Sequence, residues 1–388
     1  MTTGEKIIQE CRDLIELLPS QALLAARQKH PGLRGLAVFP VYAPPEVIHA
    51  AGLMPLGLFG AGGKLETTQA DSRFQSFICS IAKSTLELFL CGDLSPENGF
   101  EGAVFSSICD VARNLSSVVS RNAPDFYIEY LHLPQNAATE AARDYTRREF
   151  HRFRANLAHA IGRPITDEAI AESIKLYNRL RELVSELYEH RRVRPGTIRT
   201  ADLFAVVMAG TFMMPEDFIP MIEALLAELR TCVPVQRDSV NVVLEGAFCE
   251  APPIDLIDSI ESAGCQIMDD DLAIGWRLFS RDVPATGDPV ANLADAYLTS
   301  SAYTSVRHNN GQPRTKGLLQ RVHDSHADAV ILASAKFCEP ALLDYVLFRR
   351  TLDEHDIPHL KIEFEEKMWT FERLRNEIET FTESLLFD

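Results

Sequence analysis

The chain has 388 residues, is 46% hydrophobic and 24% charged, and carries a formal net charge of −17. This is globular composition, long enough for two or three domains, and its acidity excludes a surface built for nucleic-acid phosphates. The polar, charged start from Met1 to Glu10 does not read as a secretory leader, and no apolar run nears the roughly 18 residues of a membrane helix, so a cytoplasmic protein without membrane contact is expected.

Apolar residues at Ile7, Ile8, Cys11, Leu14, Ile15 and Leu18 recur with a helical period over 5–18, which makes Cys11 a core residue. Gly35 to Phe39 reads as a buried strand and Pro40-Val41-Tyr42-Ala43 as a turn. Pro44-Pro45 opens a short helix through Ala50, with Gly52 as its C-terminal cap. A strand follows near Leu53 to Leu58. The loop Gly60-Ala61-Gly62-Gly63 lacks the spacing of a phosphate-binding fingerprint. Residues 72–91 form a helix candidate with Cys79 in its middle or first turns and Cys91 packed at its end. Ala103-Val104-Phe105 is a strand, Ser106-Ser107-Ile108 its turn, and Cys109-Asp110 the start of the next helix. Phe126 to Leu131 is a further strand, ended by Pro134. Residues 1–135 thus alternate as an N-terminal α/β lobe.

From Asn136 to about 233 the pattern is helical: Ala138–Ile161, Asp167–Tyr188, Thr200–Ala209 and Glu216–Arg230. The charges at Arg143, Arg147, Arg148, Glu149, Arg152 and Arg154 read first as a solvated helix face, with a docking surface as the bolder alternative. After Pro234 the α/β alternation resumes as a second lobe, 234–388. Val240 to Leu244 is a strand, followed by the turn Glu245-Gly246-Ala247-Phe248-Cys249-Glu250 and a helix from Ile254 to Ala263. Gln266-Ile267-Met268 is a strand with Asp269-Asp270-Asp271 at its end. Val330 to Ala333 and His359 to Ile362 are two more, and a helix from Thr370 to Leu386 closes the chain. The expected fold is α/β: two Rossmann- or flavodoxin-like parallel-sheet lobes with a helical insert and a cleft between them. In such sheets ligands bind at the carboxyl ends of the strands.

The turn Lys336-Phe337-Cys338-Glu339-Pro340 has the same grammar as the turn at Cys109: a short apolar strand, a cysteine, a helix. Eight cysteines in a chain of this kind are buried, reactive or metal-bound rather than a disulfide framework. No C-x-x-C pair, Walker loop, G-x-S-x-G elbow or complete glycine fingerprint is present. Cys79, Cys109 and Cys338 stand out beside small or polar residues. Three thiolates without an obvious fourth suit an iron–sulfur cluster with one open iron. Three unrelated buried cysteines are the plain alternative.

Several segments resemble the 2-hydroxyacyl-CoA dehydratase and benzoyl-CoA reductase family. They are Tyr42-Ala43-Pro44-Pro45-Glu46-Val47-Ile48-His49-Ala50-Ala51-Gly52, Ser107-Ile108-Cys109-Asp110, Leu244-Glu245-Gly246 with Asp269-Asp270-Asp271, Lys336-Phe337-Cys338-Glu339-Pro340, and the tail Arg375-Asn376-Glu377-Ile378-Glu379-Thr380-Phe381. They run in the same order over almost the whole chain, and length and detail most resemble the smaller cluster-bearing subunits of ATP-dependent benzoyl-CoA reductases.

The resemblance implies a [4Fe-4S] cluster held by Cys79, Cys109 and Cys338; the same ligands are compatible with a larger bridged cluster. It implies a homologous cluster-bearing partner subunit, an ATP-hydrolysing activator that injects low-potential electrons, ferredoxin as upstream donor, and an acyl-CoA substrate. In the reductases the electrons reduce the ring of benzoyl-CoA to a cyclohexadiene-carbonyl-CoA, the thioester carbonyl stabilising the first radical anion. In the dehydratases an electron is recycled while water leaves a 2-hydroxyacyl-CoA.

Glu46 and His49 lie on the early motif one helical turn apart, as candidates to move a proton in the cleft. The plain readings are a local pair for Glu46 and a satisfied, half-buried histidine for His49. Cys249 reads as a buried thiol, an extra ligand or a pocket wall, and Asp269 to Asp271 as a solvated strand end. Three accounts stay open at this level: a catalytic cluster subunit, an electron-relay or structural subunit, and a metal-free two-lobed binding protein.

Overall fold

The computed structural model describes residues 1–40, 43–235, 238–246, 249–272, 282–300, 314–368 and 370–387. The parts of the predicted turns at Val41, Tyr42, Ala247 and Phe248 lie outside them.

In chain order the first part comprises α1 (Thr3–Ile15), α2 (Pro19–Lys29), β1 (Arg34–Phe39), α3 (Pro45–Ala50), β2 (Leu53–Gly57), α4 (Thr68–Asp71), α5 (Ser80–Leu90), β3 (Phe100–Ser106), α6 (Asp110–Asn122) and β4 (Tyr127–Leu131). Four helices follow: α7 (Glu140–Ile161), α8 (Asp167–Val193), α9 (Thr200–Ala209) and α10 (Pro215–Leu229). The last part comprises β5 (Val240–Glu245), α11 (Ile254–Ser262), β6 (Cys265–Asp270), α12 (Pro289–Ser300), α13 (Arg314–Ser325), β7 (Ala329–Ala335), α14 (Glu339–Glu354), β8 (His359–Phe364) and α15 (Glu372–Phe387).

Both sheets are wholly parallel and share one topology. The first runs β2-β1-β3-β4 and the second β6-β5-β7-β8, so in each lobe the first strand lies between the second and the third. This is the flavodoxin-like order, and it puts a crevice at the carboxyl ends of β1 and β3 and another at those of β5 and β7. Helices cover both faces of the sheets, which is why the strands read as apolar runs without alternation. Every residue of β7 is buried, as are all but the first of β1.

Local chemistry sets the helix ends. The Thr139 hydroxyl accepts from Ala142 N at 3.1 Å to start α7, and Thr166 accepts from Ala169 N at 3.2 Å to start α8. Gly162, at φ +69°, ends α7 in the left-handed conformation that glycine adopts without strain. The first-lobe sheet and the inner face of the second share one core. A separate core joins α1 to α8, α9 and α10 through Ile7, Cys11, Leu180, Leu187, Phe218 and Leu226. Cys11 is a fully buried core residue, and α1 packs with the helical layer although it falls within the stretch 1–135 read as the first lobe.

The predicted helix over 72–91 is helical only from Ser80 to Leu90, as α5; residues 72–79 are turns and bends that link it to α4. Glu87 of α5 accepts from Ala70 N at 2.8 Å, tying the short α4 back against α5, so the chain reverses between them. Cys79 therefore precedes the helix as its N-cap instead of lying within it. Cys91 is exposed rather than packed. Helices α2, α4, α12 and α13 have no counterpart among the predicted elements.

The arginine-rich face of α7 is used within the chain. Arg143 and Arg147 reach Asp295 of α12 at 3.0 and 2.7 Å, and Arg152 pairs with Glu129 and Glu149 at 2.7 and 2.6 Å. Among the described residues, no helix is long and apolar enough to cross a membrane.

Candidate functional site

Three cysteines cap three helices. Cys79 is the N-cap of α5, Cys109 of α6 and Cys338 of α14. Cys109 lies just past β3 and Cys338 just past β7, at the crevice of each lobe. Cys249 follows β5 at the other side of the second crevice.

A helix start presents unpaired N–H groups and the positive end of the macrodipole, which favours a thiolate. The Cys109 sulfur accepts from Ala112 N at 3.4 Å. The N–H groups of Ala82 and Ala341 act in the same sense on Cys79 and Cys338. The turn that presents Cys338 is tight: its N–H donates to Ala335 O at 3.1 Å, and Phe337 just before it has φ +63°.

The fold brings these thiols together. Cys79 is acted on electrostatically by Cys338 and Cys109, and Cys249 by Cys338, Cys109 and Cys79. Cys79, Cys249 and Cys338 are buried and Cys109 is partly exposed. Burial pushes all four thiols up, Cys338 to about 12, and overcomes the helix-start N–H groups. Arg113 draws the Cys109 thiol the other way without overcoming burial; a bound metal centre brings the positive charge that deprotonates a coordinating thiol.

Among the described residues no three His, Cys, Asp or Glu side chains are arranged to hold a single metal ion. A cluster spreads its thiolate ligands over several metal atoms, so convergent but separated cysteines are compatible with one. Soft sulfur donors, burial and three helix starts fit an iron–sulfur cluster better than any oxygen-seeking cation.

Two glutamates, Glu250 buried and Glu366 half-buried, stand behind the cysteines. Glu250 follows Cys249 directly; its carboxylate accepts from Ser80 Oγ at 2.5 Å and Ile81 N at 3.4 Å, at the start of α5. Glu366, just past β8, accepts from Ser84 Oγ at 2.9 Å. Burial, and for Glu250 also the neighbouring Glu366, pushes both carboxyls up, Glu250 to about 8 and Glu366 to about 7. Neither is among the predicted site residues. The one trace in the sequence is a glutamate directly after a strand-end cysteine and another after the last strand. The Gly60–Gly63 loop turns the N–H groups of Gly62 and Gly63 onto the Glu366 carboxylate, so these donors serve the chain itself.

Glu46 and His49 sit on α3 against the helical layer. Glu46 is fully buried and pairs with Arg181 of α8 at 2.8 Å. His49 Nδ1 meets Ser173 Oγ and Nε2 meets Glu216, each at 2.9 Å, with the ring edge-on to Tyr177. His49 is a satisfied, half-buried histidine, whereas Glu46 is paired not locally but with an arginine 135 positions away, and the structure does not bring either into the cysteine group.

Asp269 to Asp271 are not a solvated strand end. Asp270 pairs with Arg191 at 2.6 Å and accepts from Tyr188 Oη at 2.9 Å. Asp271 pairs with Arg314 at 2.7 Å, and Arg314 also reaches Asp344 of α14 at 2.6 Å and Glu245 of β5 at 3.2 Å. The aspartates are buried because arginines from α8 and α13 neutralise them, and Arg314 ties the Cys338 helix to the ends of β5 and β6.

A profile of the family described as "2-hydroxyglutaryl-CoA dehydratase, D-component" matches residues 40–385. The chain is 36% identical to a benzoyl-CoA reductase subunit of Thauera aromatica over 387 residues, covering 99% of each. It is 30% identical to the lactoyl-CoA dehydratase beta subunit of Anaerotignum propionicum, over 99% of this chain and all of that one. It is 26% identical to the (R)-2-hydroxyglutaryl-CoA dehydratase beta subunit of Acidaminococcus fermentans, over 94% and 96%. The chain thus belongs to the 2-hydroxyglutaryl-CoA dehydratase D-component family, alongside subunits of benzoyl-CoA reductase and 2-hydroxyacyl-CoA dehydratases.

Proposed function

We propose that this chain is the iron–sulfur subunit of a benzoyl-CoA reductase that removes the aromaticity of the ring with electrons from ferredoxin. The observation that carries the reading is the convergence of Cys79, Cys109 and Cys338, three helix-capping thiols drawn from both lobes. The 36% identity to a benzoyl-CoA reductase subunit over 99% of the chain supports the substrate.

When bound, a [4Fe-4S] cluster supplies one-electron transfer at low potential. The chain's own residues do the rest. Cys79, Cys109 and Cys338 would hold the group, and the N–H groups of Ala82, Ala112 and Ala341 would offset their negative charge. Burial keeps water from the sulfurs of Cys79 and Cys338. Arg314 fixes α14, and with it Cys338, against β5 and β6. Cys249 lines the same space as a fourth thiol. In this reading the subunit works beside a homologous cluster-bearing subunit, and an ATP-hydrolysing activator passes electrons to it.

The test is anaerobic purification with iron and sulfide analysis of wild type and Cys338→Ser, followed by a benzoyl-CoA reduction assay of the assembled complex. About four irons per chain is the [4Fe-4S] expectation, and the variant should lose them. Iron-free wild type overturns the proposal. A second reading, a subunit of a 2-hydroxyacyl-CoA dehydratase, has the 30% full-length identity to a lactoyl-CoA dehydratase subunit in its favour. Water loss from a 2-hydroxyacyl-CoA, with no ring reduction, would select it.

A further inference from the structure

A cavity of about 300 Å³ opens where the carboxyl ends of β2 and β8 meet the start of α11. Phe59, Met208, Phe212 and Phe371 form part of its wall, and Glu250 and Glu366 also line it. It has room for several waters, and Glu16, Lys64, Glu250, Asp255 and Glu366 supply polar groups to hold them.

The two carboxyls are joined through α5. Glu366 is bound by Ser84 Oγ and Glu250 by Ser80 Oγ, one turn earlier, and Ser80 Oγ also accepts from Glu366 N at 3.3 Å. Glu250 in turn acts electrostatically on Cys79, Cys249 and Cys338. Both carboxyls thus border the cavity, and Glu250, bound at Ser80 and Ile81 just past Cys79 and directly after Cys249 in the chain, lies between the cavity and the thiols.

We propose that Glu366 and Glu250 form a proton path from this cavity to the cysteine site, so that electron entry at the site is matched by proton uptake through Glu366. The inference rests on the electron-accepting role proposed above. The step balances simply. One electron is taken up at the site from a low-potential donor protein, water in the cavity gives one proton to a Glu366 carboxylate oxygen, and Glu366 hands a proton on to the Glu250 carboxylate, where its positive charge balances the added electron. No carbon bond forms or breaks in this step.

The charge environment suits the task. Both carboxyls ionise far more reluctantly than exposed ones. The Lys64 ammonium attracts the Glu366 charge, while Glu365 disfavours ionisation of Glu250. Lys64 itself is pushed down by burial, with Glu16 and Glu366 opposing the shift. Asp255 also lines the cavity.

The test uses the full chain, purified anaerobically with any subunit that accompanies it. Infrared spectra between pH 6 and 9 read the protonated-carboxyl band without needing a cluster. Wild type should lose that band as pH rises, and Glu366→Gln should lack part of it. In iron-loaded wild type the reduction potential should fall with rising pH. The slope should flatten in Glu366→Gln and return in Glu366→Asp.

An unchanged infrared band or an unchanged slope in Glu366→Gln that retains its iron overturns the proposal. If Glu366→Gln does not fold, Lys64→Met keeps both carboxyls and removes the cation that holds Glu366 down, so the bend in the potential should move to higher pH; an unmoved bend overturns it. Iron-loaded wild type whose potential ignores pH overturns the path alone, whereas iron-free wild type overturns the electron-accepting role and the path together.

Discussion

Cys109 and Cys338 occupy the same position in the two lobes. Each lies three residues past the third strand of its sheet, 106 to 109 and 335 to 338, and each caps the helix that follows. The repeated strand order makes this equivalence geometric, and it places both sulfurs at crevices that open toward one space. Cys109→Ser should therefore lose iron as Cys338→Ser does. Cys249→Ser should keep at least half of it, since Cys249 caps no helix, and Cys91→Ser, altering an exposed cysteine, should keep all of it. Iron analysis and visible absorbance of the anaerobic proteins read the difference.

The Glu46–Arg181 pair is a buried ion pair between α3 and α8. Removing one partner strands the other charge, which typically costs about 3–5 kcal/mol. Arg181→Met should lower stability by that order in urea denaturation, in iron-free and iron-loaded protein alike. Equal stability of wild type and variant would show that Glu46 is free for another task.

Glu366 predicts a pH dependence with a definite sign. A carboxyl whose folded pKa lies above its unfolded value binds more protons in the native state between the two, so stability falls as pH rises through that window. For Glu366 the window runs from the ordinary glutamate range to about 7. Thermal melts should find Glu366→Gln similar to wild type near pH 4 and more stable at pH 8, by on the order of 2–3 kcal/mol. A variant less stable than wild type at pH 8 would contradict the assignment.

Phe337 holds φ +63° directly before Cys338, with its ring 5.2 Å from Lys336 Nζ. Left-handed backbone costs a non-glycine residue roughly 1–2 kcal/mol, and more at a branched Cβ. Phe337→Gly should be at least as stable as wild type, and Phe337→Val less stable by about 1–2 kcal/mol. Equilibrium denaturation distinguishes them; equal losses in both would mean that the ring contact, not the backbone, decides.

How much of the site is legible differs from residue to residue. Cys109 and Cys338 are readable because an apolar strand, a short turn and a helix start are local signals, and a residue at that junction lies at a sheet edge whatever else the chain does. Cys79 carries a weaker signal. The reversal that makes it a cap comes from Glu87 reaching back to Ala70, a contact between elements. Asp270 and Glu366 are opaque in the sequence, since a carboxylate beside a strand is solvated by default. Only arginines from distant helices, or serines and glycine N–H groups from the other lobe, change that.

Local sequence suffices for the two α/β lobes, the helices between them and the helix-capping cysteines at the strand ends. Apolar runs, turns and caps act over a few residues and need no knowledge of the rest of the chain. Contacts between distant elements are what turn the cysteines of both lobes to one space, send Glu46 and His49 to the helical layer, and set two carboxyls behind the thiols. Those outcomes depend on electrostatics and packing between residues more than a hundred positions apart, where the charge that settles a side chain's fate lies on another element.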